Sequence, residues 1–313
     1  MLGKTAGGLT WMFRYLERCE TSSRLIETGF RNALTRPATA ADEWAAVLDA
    51  SGARKAYLER HAAFEQSAVV DFLLRDKSNP SSVLSCVENA RMNARLVRTA
   101  LSREVWEAVN ECWMVLKGAL VHKVNDRDLP EVLALIRQQN ALVRGATHGT
   151  MLRNDVFNFC RIGTFLERAD ATARILDVKY YVLLPSISHI GSALDNVQWE
   201  NILRAVGARS SYRWLNGPDI SAQGIADFLI LDHRMPRSLT FCIEKVASNL
   251  RYLALEYGER KNSQVKVEEM LVKLEEAEIE KIFEEGLHEF ILDLLADVAE
   301  LTANIETDYR FYG

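Results

Sequence analysis

Apolar residues recur at three- and four-residue intervals along almost the whole chain, the period of a helix with one buried face. On that pattern helices are expected over residues 9–34, 81–101, 104–123, 129–146, 155–183, 221–232, 237–258, 265–284 and 287–311. Asp42, just ahead of Trp44, and Asn79-Pro80, just ahead of Ser81, read as helix starts. Asn216 to Asp219 and Asn125 to Pro130 read as turns. No alternating stretch is long enough for a strand, and Val182 to Leu184 is too short to count. The expected fold class is all-α.

The pattern is also written twice. Arg14-Tyr-Leu-Glu-Arg-Cys-Glu-Thr-Ser-Ser-Arg24 returns 150 positions later as Thr164-Phe-Leu-Glu-Arg-Ala-Asp-Ala-Thr-Ala-Arg174. The echo continues at a slightly wider offset: Trp44, Gly52, Ala53 and Tyr57 recur as Trp199, Gly207, Ala208 and Tyr212. Asp71, Asp76, Pro80, Ser82, Cys86 and Asn93 recur as Asp227, Asp232, Pro236, Ser238, Cys242 and Asn249. An internal duplication is the reading, with halves 1–150 and 151–313. The Gly-containing stretch Arg144 to Gly149 is expected to be the helix-to-helix connection between them. With no linker, the halves are expected to fuse into one pseudo-symmetric helical bundle, as homodimers pair through two-fold interfaces. Two independent domains are the alternative.

At about 100° per residue the first motif sorts into faces. Met12, Tyr15, Leu16, Cys19, Ser23, Ile26 and Phe30 form an apolar stripe. Glu17, Glu20 and Arg24 share a second face, with Glu20 and Arg24 at the favourable acid-before-base spacing. Arg14 and Arg18 lie on a third. The second copy repeats this with Glu167, Asp170, Arg174 and Arg168. Two readings follow, and they are compatible. One is an ion-pair network that locks helices together. The other is a fork of arginines for a carboxylate or phosphate, oriented by the glutamates.

A second repeated element is a helix start, Asp76 to Ser82 and Asp232 to Ser238. A proline in the first turn would leave free N–H groups facing outward for an anion, with Arg237 and Ser238 as added donors; a plain cap is the simpler reading. Further on, Arg91, Arg95 and Arg98 recur at helical spacing, lining a polar cleft or coating a surface.

Composition narrows the chemistry. A net charge of −5 argues against a nucleic-acid role. No apolar run of membrane-spanning length is present and the first residues lack a secretory apolar core, so a cytoplasmic protein away from the membrane is expected. The five cysteines are scattered, with no Cys-x-x-Cys, and Cys86 and Cys242 read as small core residues. The histidines show no paired ligand spacing, and Glu285-x-x-His288 is a single Glu-x-x-His where a di-iron bundle needs two. No phosphate-binding glycine loop or nucleophile elbow is present. No metal or cofactor is expected, and no catalytic residue is nominated.

At the two Leu-Glu-Arg segments the chain resembles the bacterial alpha-E family, an all-helical group named for its Glu-Arg motif. The resemblance covers nearly the whole chain. It includes Trp11-x-x-Arg-Tyr-x-Glu-Arg18, Ser82-Val-x-x-Cys86 through Ala90-Arg-x-Asn-Ala-Arg95, Ser102-x-Glu-x-Trp106-Glu-x-x-Asn110, Met151 to Arg168, and Pro236-Arg-Ser238. The family's Gly-Arg ahead of the motif is Phe13-Arg14 in one copy and Gly163-Thr164 in the other, which makes the copies unequal. The resemblance implies a setting beside circularly permuted ATP-grasp ligases and transglutaminase-like proteins. It therefore implies an accessory or binding role in ATP-dependent peptide-bond synthesis or modification, with a peptide or carboxylate-bearing molecule as a possible ligand. The alternative is an amide-forming or amide-cleaving transferase with Glu17 or Glu167 as acid/base. Whether the chain is an enzyme stays open at this point. Arg14, Glu17, Arg18, Arg24, Arg91, Arg95, Glu167, Arg168, Arg174, Arg237 and Ser238 are the candidate site residues.

Overall fold

A computed structural model describes residues 1–35, 37–182 and 193–312. Among them there are fifteen α-helices and no strand, so the chain is all-α. The first half holds α1 (Gly3–Thr35), α2 (Ala40–Ala50), α3 (Arg54–Leu58), α4 (Gln66–Leu74), α5 (Val83–Leu96), α6 (Arg103–Ala119) and α7 (Leu129–Thr150). The second holds α8 (Asp155–Val182), α9 (Ala193–Ala205), α10 (Arg209–Asn216), α11 (Ala222–Ile230), α12 (Leu239–Tyr257), α13 (Asn262–Glu275), α14 (Ile279–Glu285) and α15 (Leu287–Asp308).

The two longest helices, α1 and α8, pack against each other at the centre. Glycine permits the closest approach: a Cβ on Gly163 would lie 2.1 Å from the Thr10 carbonyl oxygen. Around this pair, α1 carries α5, α7 and α2, while α8 carries α12, α15 and α9. α2 also reaches α8, and α9 also reaches α1, so each half wraps the other's long helix. One continuous apolar core includes Leu9, Met12 and Leu16 from α1 and Phe159, Ile162 and Leu166 from α8, all buried. Cys86 and Cys242 are fully buried within it, as small core residues.

Several boundaries differ from the sequence reading. The expected helix over 265–284 is two, broken after Glu275; Glu276 and Glu280, one turn apart, would repel in an unbroken helix. Residues 144–149 are no connection but the last turns of α7, and the chain turns instead at 151–154. Gly145 and Gly149 each face open space there. Each costs about 1 kcal/mol of helix propensity. Packing of Leu133, Ile136 and Val143 in the core outweighs that cost. The segment 81–101 is α5 followed by a single 3-10 turn at Arg98–Ala100. α3, α4, α9 and α10 fell outside the expected segments. The end of the 155–183 segment and most of Val182 to Leu184 lie outside the described residues.

Pro80 and Pro236 also sit differently from the expectation. Neither is in the first turn; the N-caps are Ser82 and Ser238, whose hydroxyls accept from the Ser85 and Phe241 amides at 3.2 and 3.1 Å. Each serine cap satisfies one of the first-turn N–H groups, as the simpler reading expects.

Candidate functional site

Three buried carboxylates define the centre. Glu17, Glu20 and Glu167 are 3%, 1% and 4% exposed, at a depth where a charge survives only when paired. Every partner is an arginine. Glu167, on α8, accepts from Arg14 Nε at 2.9 Å and from Arg18 Nε and Nη2, the latter at 3.0 Å. Glu17, on α1, accepts from Arg168 Nε at 2.8 Å and Nη2 at 3.1 Å, a two-pronged pair. The arginine of each Leu-Glu-Arg segment therefore holds the glutamate of the other. The third face of α1, which carries Arg14 and Arg18, points at α8.

Glu17 lacks a counterpart to Arg14, because Thr164 stands at that position and returns its hydroxyl to the Cys160 carbonyl. Its second cation comes from Arg237, which lies 2.8 Å from Glu17 and 2.9 Å from Glu20. Glu20 also takes Arg24 at 2.8 Å, at the expected helical spacing, and Arg144 from α7. Its mate by sequence, Asp170, takes a two-pronged Arg174 at 2.8 and 3.1 Å.

These contacts set the ionisation. Burial alone would push Glu17 and Glu167 up; Arg168 and Arg237 at the first, and Arg18 and Arg14 at the second, outweigh it and hold both below the ordinary value. Glu20 is brought down to about 2 by Arg237, Arg144 and Arg24 against its own burial. For Arg18 and Arg168 burial is likewise outweighed, by Glu167 and Glu17, and both are raised. All three glutamates are ionised near neutral pH, and guanidinium groups occupy their lone pairs. That suits a rigid charged frame and suits proton transfer poorly.

Of the other sequence candidates, Ser238 is the α12 cap and donates to the Asp232 carbonyl, so its hydroxyl serves the chain itself. Arg91 donates to Asn110 at 2.8 Å and stacks on Trp113, joining none of the Glu-Arg residues. Arg95 is exposed. The Arg91, Arg95 and Arg98 row thus coats a surface, with Arg98 over Trp106. Among the described residues no cluster has the donors for a metal ion. His288 is occupied by Asp177. All five cysteines are free and buried, and burial raises Cys112 and Cys242 to about 12.

Arg144 was missed in the sequence because its segment read as a connection. A signal was available: Arg137 and Arg144 are seven residues apart, as are Glu20 and Glu27, and the pairs meet across α7 and α1, Arg137 to Glu27 at 3.1 Å. Ser81, which accepts from Arg18 Nη1 at 3.2 Å, carried no such signal. Beside it lies a cleft of about 210 Å³ between Arg18, Thr21, Ser81, Glu167, Asp170 and Arg174, with the Ser51–Ala53 loop as its far wall. A larger hollow of about 760 Å³, lined by Glu268, Lys273, Glu276 and Lys281 near α13 and α14, shares no residue with the network.

Comparison with known proteins singles out the same Glu-Arg step. A family model named Alpha-E, described as a predicted alpha-helical domain with a conserved ER motif, matches residues 1–309. The chain is 27% identical over 330 residues to an uncharacterized protein of Mycobacterium bovis, covering 96% of this chain and 35% of that one. An uncharacterized protein of Mycobacterium tuberculosis H37Rv is 26% identical over the same span. The chain thus spans about a third of the length of the curated relatives it matches. No solved structure matches. With two Glu-Arg steps clasped at the core of an all-helical chain, and a family model that covers nearly all of it, this protein belongs to the Alpha-E family.

Proposed function

We propose that the chain is an accessory or binding protein in an ATP-dependent system that makes or modifies amide bonds, working beside an ATP-grasp ligase, a transglutaminase-like protein, or both. The partner classes come from the resemblance to the alpha-E family. The observation that carries the non-catalytic reading is the saturation of Glu17 and Glu167 by arginines, which leaves neither as a free acid or base. The relatives' length supports it too, since a similar unit makes up about a third of each of those chains. Five free, buried cysteines fit a cytoplasmic setting.

The reciprocal contacts also support the duplication. In a two-fold interface, residue i meets j while the mate of j meets the mate of i. Arg18–Glu167 with Arg168–Glu17 obeys that rule. So does Arg174 lying against Gly52 while Arg24 lies against Gly207. We infer that residues 1–150 and 151–313 are two copies fused about a pseudo-two-fold axis into one domain.

The test is affinity capture from the native host with wild type and with a folded surface variant of the Arg91/Arg95/Arg98 row. Recovery of an ATP-grasp or transglutaminase-like protein by wild type supports the accessory reading, and its loss in the variant places the interface. Turnover of an activated acyl or peptide substrate by the pure protein would instead establish the transferase alternative.

A further inference from the structure

The two ends of the network are unequal in a telling way. Beside Glu17 and Glu20 the space is filled by Arg237, 9% exposed, whose guanidinium touches both carboxylates. Position 81 is the sequence mate of 237, and it is serine. There the short side chain leaves the cleft of about 210 Å³.

Which ligand suits this cleft follows from the hydrogen bonds still available. The carboxylates in its wall are committed: both oxygens of Glu167 accept from Arg14 and Arg18, and both oxygens of Asp170 accept from Arg174. The donors are not. Arg174 uses Nε and Nη2 on Asp170, and among the described residues its Nη1 makes no hydrogen bond; that nitrogen lies against the Gly52 wall, 3.6 Å from where a Cβ would stand. Arg18 Nη1 spends one N–H on Ser81 and has a second. Thr21, nine-tenths buried, lines the cleft, and its hydroxyl has no partner among the described residues. An orphaned buried hydroxyl costs about 1–3 kcal/mol and calls for an explanation.

Charge points the same way. Across the whole network seven arginines (14, 18, 24, 144, 168, 174 and 237) meet four carboxylates (17, 20, 167 and 170). Arg18 opposes the charge on Arg174, although Asp170 and Glu167 outweigh it and hold Arg174 above its ordinary value.

We propose that the cleft is a binding site for a small oxyanion, a carboxylate or phosphate group, held by Arg18, Arg174, Thr21 and Ser81. The site is independent of the partner proposed above and exists only on the Ser81 side, because Arg237 fills its mate. Gly52, with φ of +67°, keeps the wall free of a side chain.

The experiment is titration calorimetry of the full chain with inorganic phosphate, with acetate and with methylguanidinium, in a buffer free of competing anions. Wild type is expected to bind at least one of the two anions saturably, and the anion bound identifies the group. Thr21→Val is expected to weaken that binding about tenfold. Ser81→Arg, which copies the filled mate, is expected to abolish it while leaving helicity and melting temperature intact. If Ser81→Arg fails to fold, Ser81→Ala with Thr21→Val carries the same test. The proposal is overturned by absence of saturable binding of either anion, by binding that these substitutions leave unchanged, or by saturable binding of methylguanidinium in place of the anions.

Discussion

Arg14 and Arg237 do the same job at opposite ends of one network: each supplies the second guanidinium on a buried glutamate. Arg14 joins Arg18 on Glu167, and Arg237 joins Arg168 on Glu17. By sequence they are not mates, since Arg14 corresponds to Thr164 and Arg237 to Ser81. The two halves meet one requirement, a buried carboxylate with two cations, from different positions.

Arg237→Ala is expected to destabilise by about 2 kcal/mol, because Glu17 and Glu20 lose a shared partner while keeping others. Thr164→Arg in that background should restore part of the loss, since it rebuilds at Glu17 what Arg14 does at Glu167. Urea unfolding of the single and double variants checks this. A second substitution that only adds to the damage would contradict it.

Glu167→Leu strips both Arg14 and Arg18 of their partner and leaves buried charge uncompensated. A cost of about 3–5 kcal/mol is expected. Arg31→Ala, at an exposed pair with Glu27, should cost less than about 1 kcal/mol. Comparable losses for the two would show that burial is not what gives the network its weight.

Acid should remove the stability that the network contributes. Glu17, Glu20 and Glu167 have folded pKa values below the ordinary 4.5, so their contribution is complete above that pH. It is then lost as pH falls toward Glu20's value of about 2. Stability measured by urea midpoint should be flat from pH 7 to about 5 and decline below 4.5. Glu20→Gln should flatten part of that decline.

Two glycines separate conformational cost from steric cost. Gly207 and Gly258 share φ of +68°, but a Cβ at Gly207 would stand 2.7 Å from Arg24 Nη1, whereas Gly258 faces open space. Gly258→Ala should cost about 1 kcal/mol, the ordinary left-handed penalty. Gly207→Ala should cost more and displace Arg24 from Glu20. Gly163→Ala, which meets backbone at 2.1 Å, should be the worst of the three. Thermal melts rank them directly.

How much of this was readable in advance depends on whether a residue's role is local. The long helices, the all-α class and the pairs Glu20–Arg24 and Asp170–Arg174 follow from spacing within one helix, and they hold. Arg18 and Arg168 were visible as repeated charges, yet their targets were not, because the period of one helix says nothing about which neighbour faces it. Pro80 and Pro236 misled for a related reason: proline fixes its own φ, but the helix begins where a serine can cap it, two residues later. Arg144 was hidden by its glycine neighbours, whose helix cost is offset only by packing that sequence does not display.

The most direct test of the reciprocal clasp is a pair of double-mutant cycles, Arg18 with Glu167 and Arg168 with Glu17, each partner changed to leucine and stability read by urea unfolding. Coupling of about 2 kcal/mol or more is expected in both cycles, with no comparable coupling between Arg18 and Glu20, which share no contact here. Additivity within about 0.5 kcal/mol in either cycle would contradict the clasp.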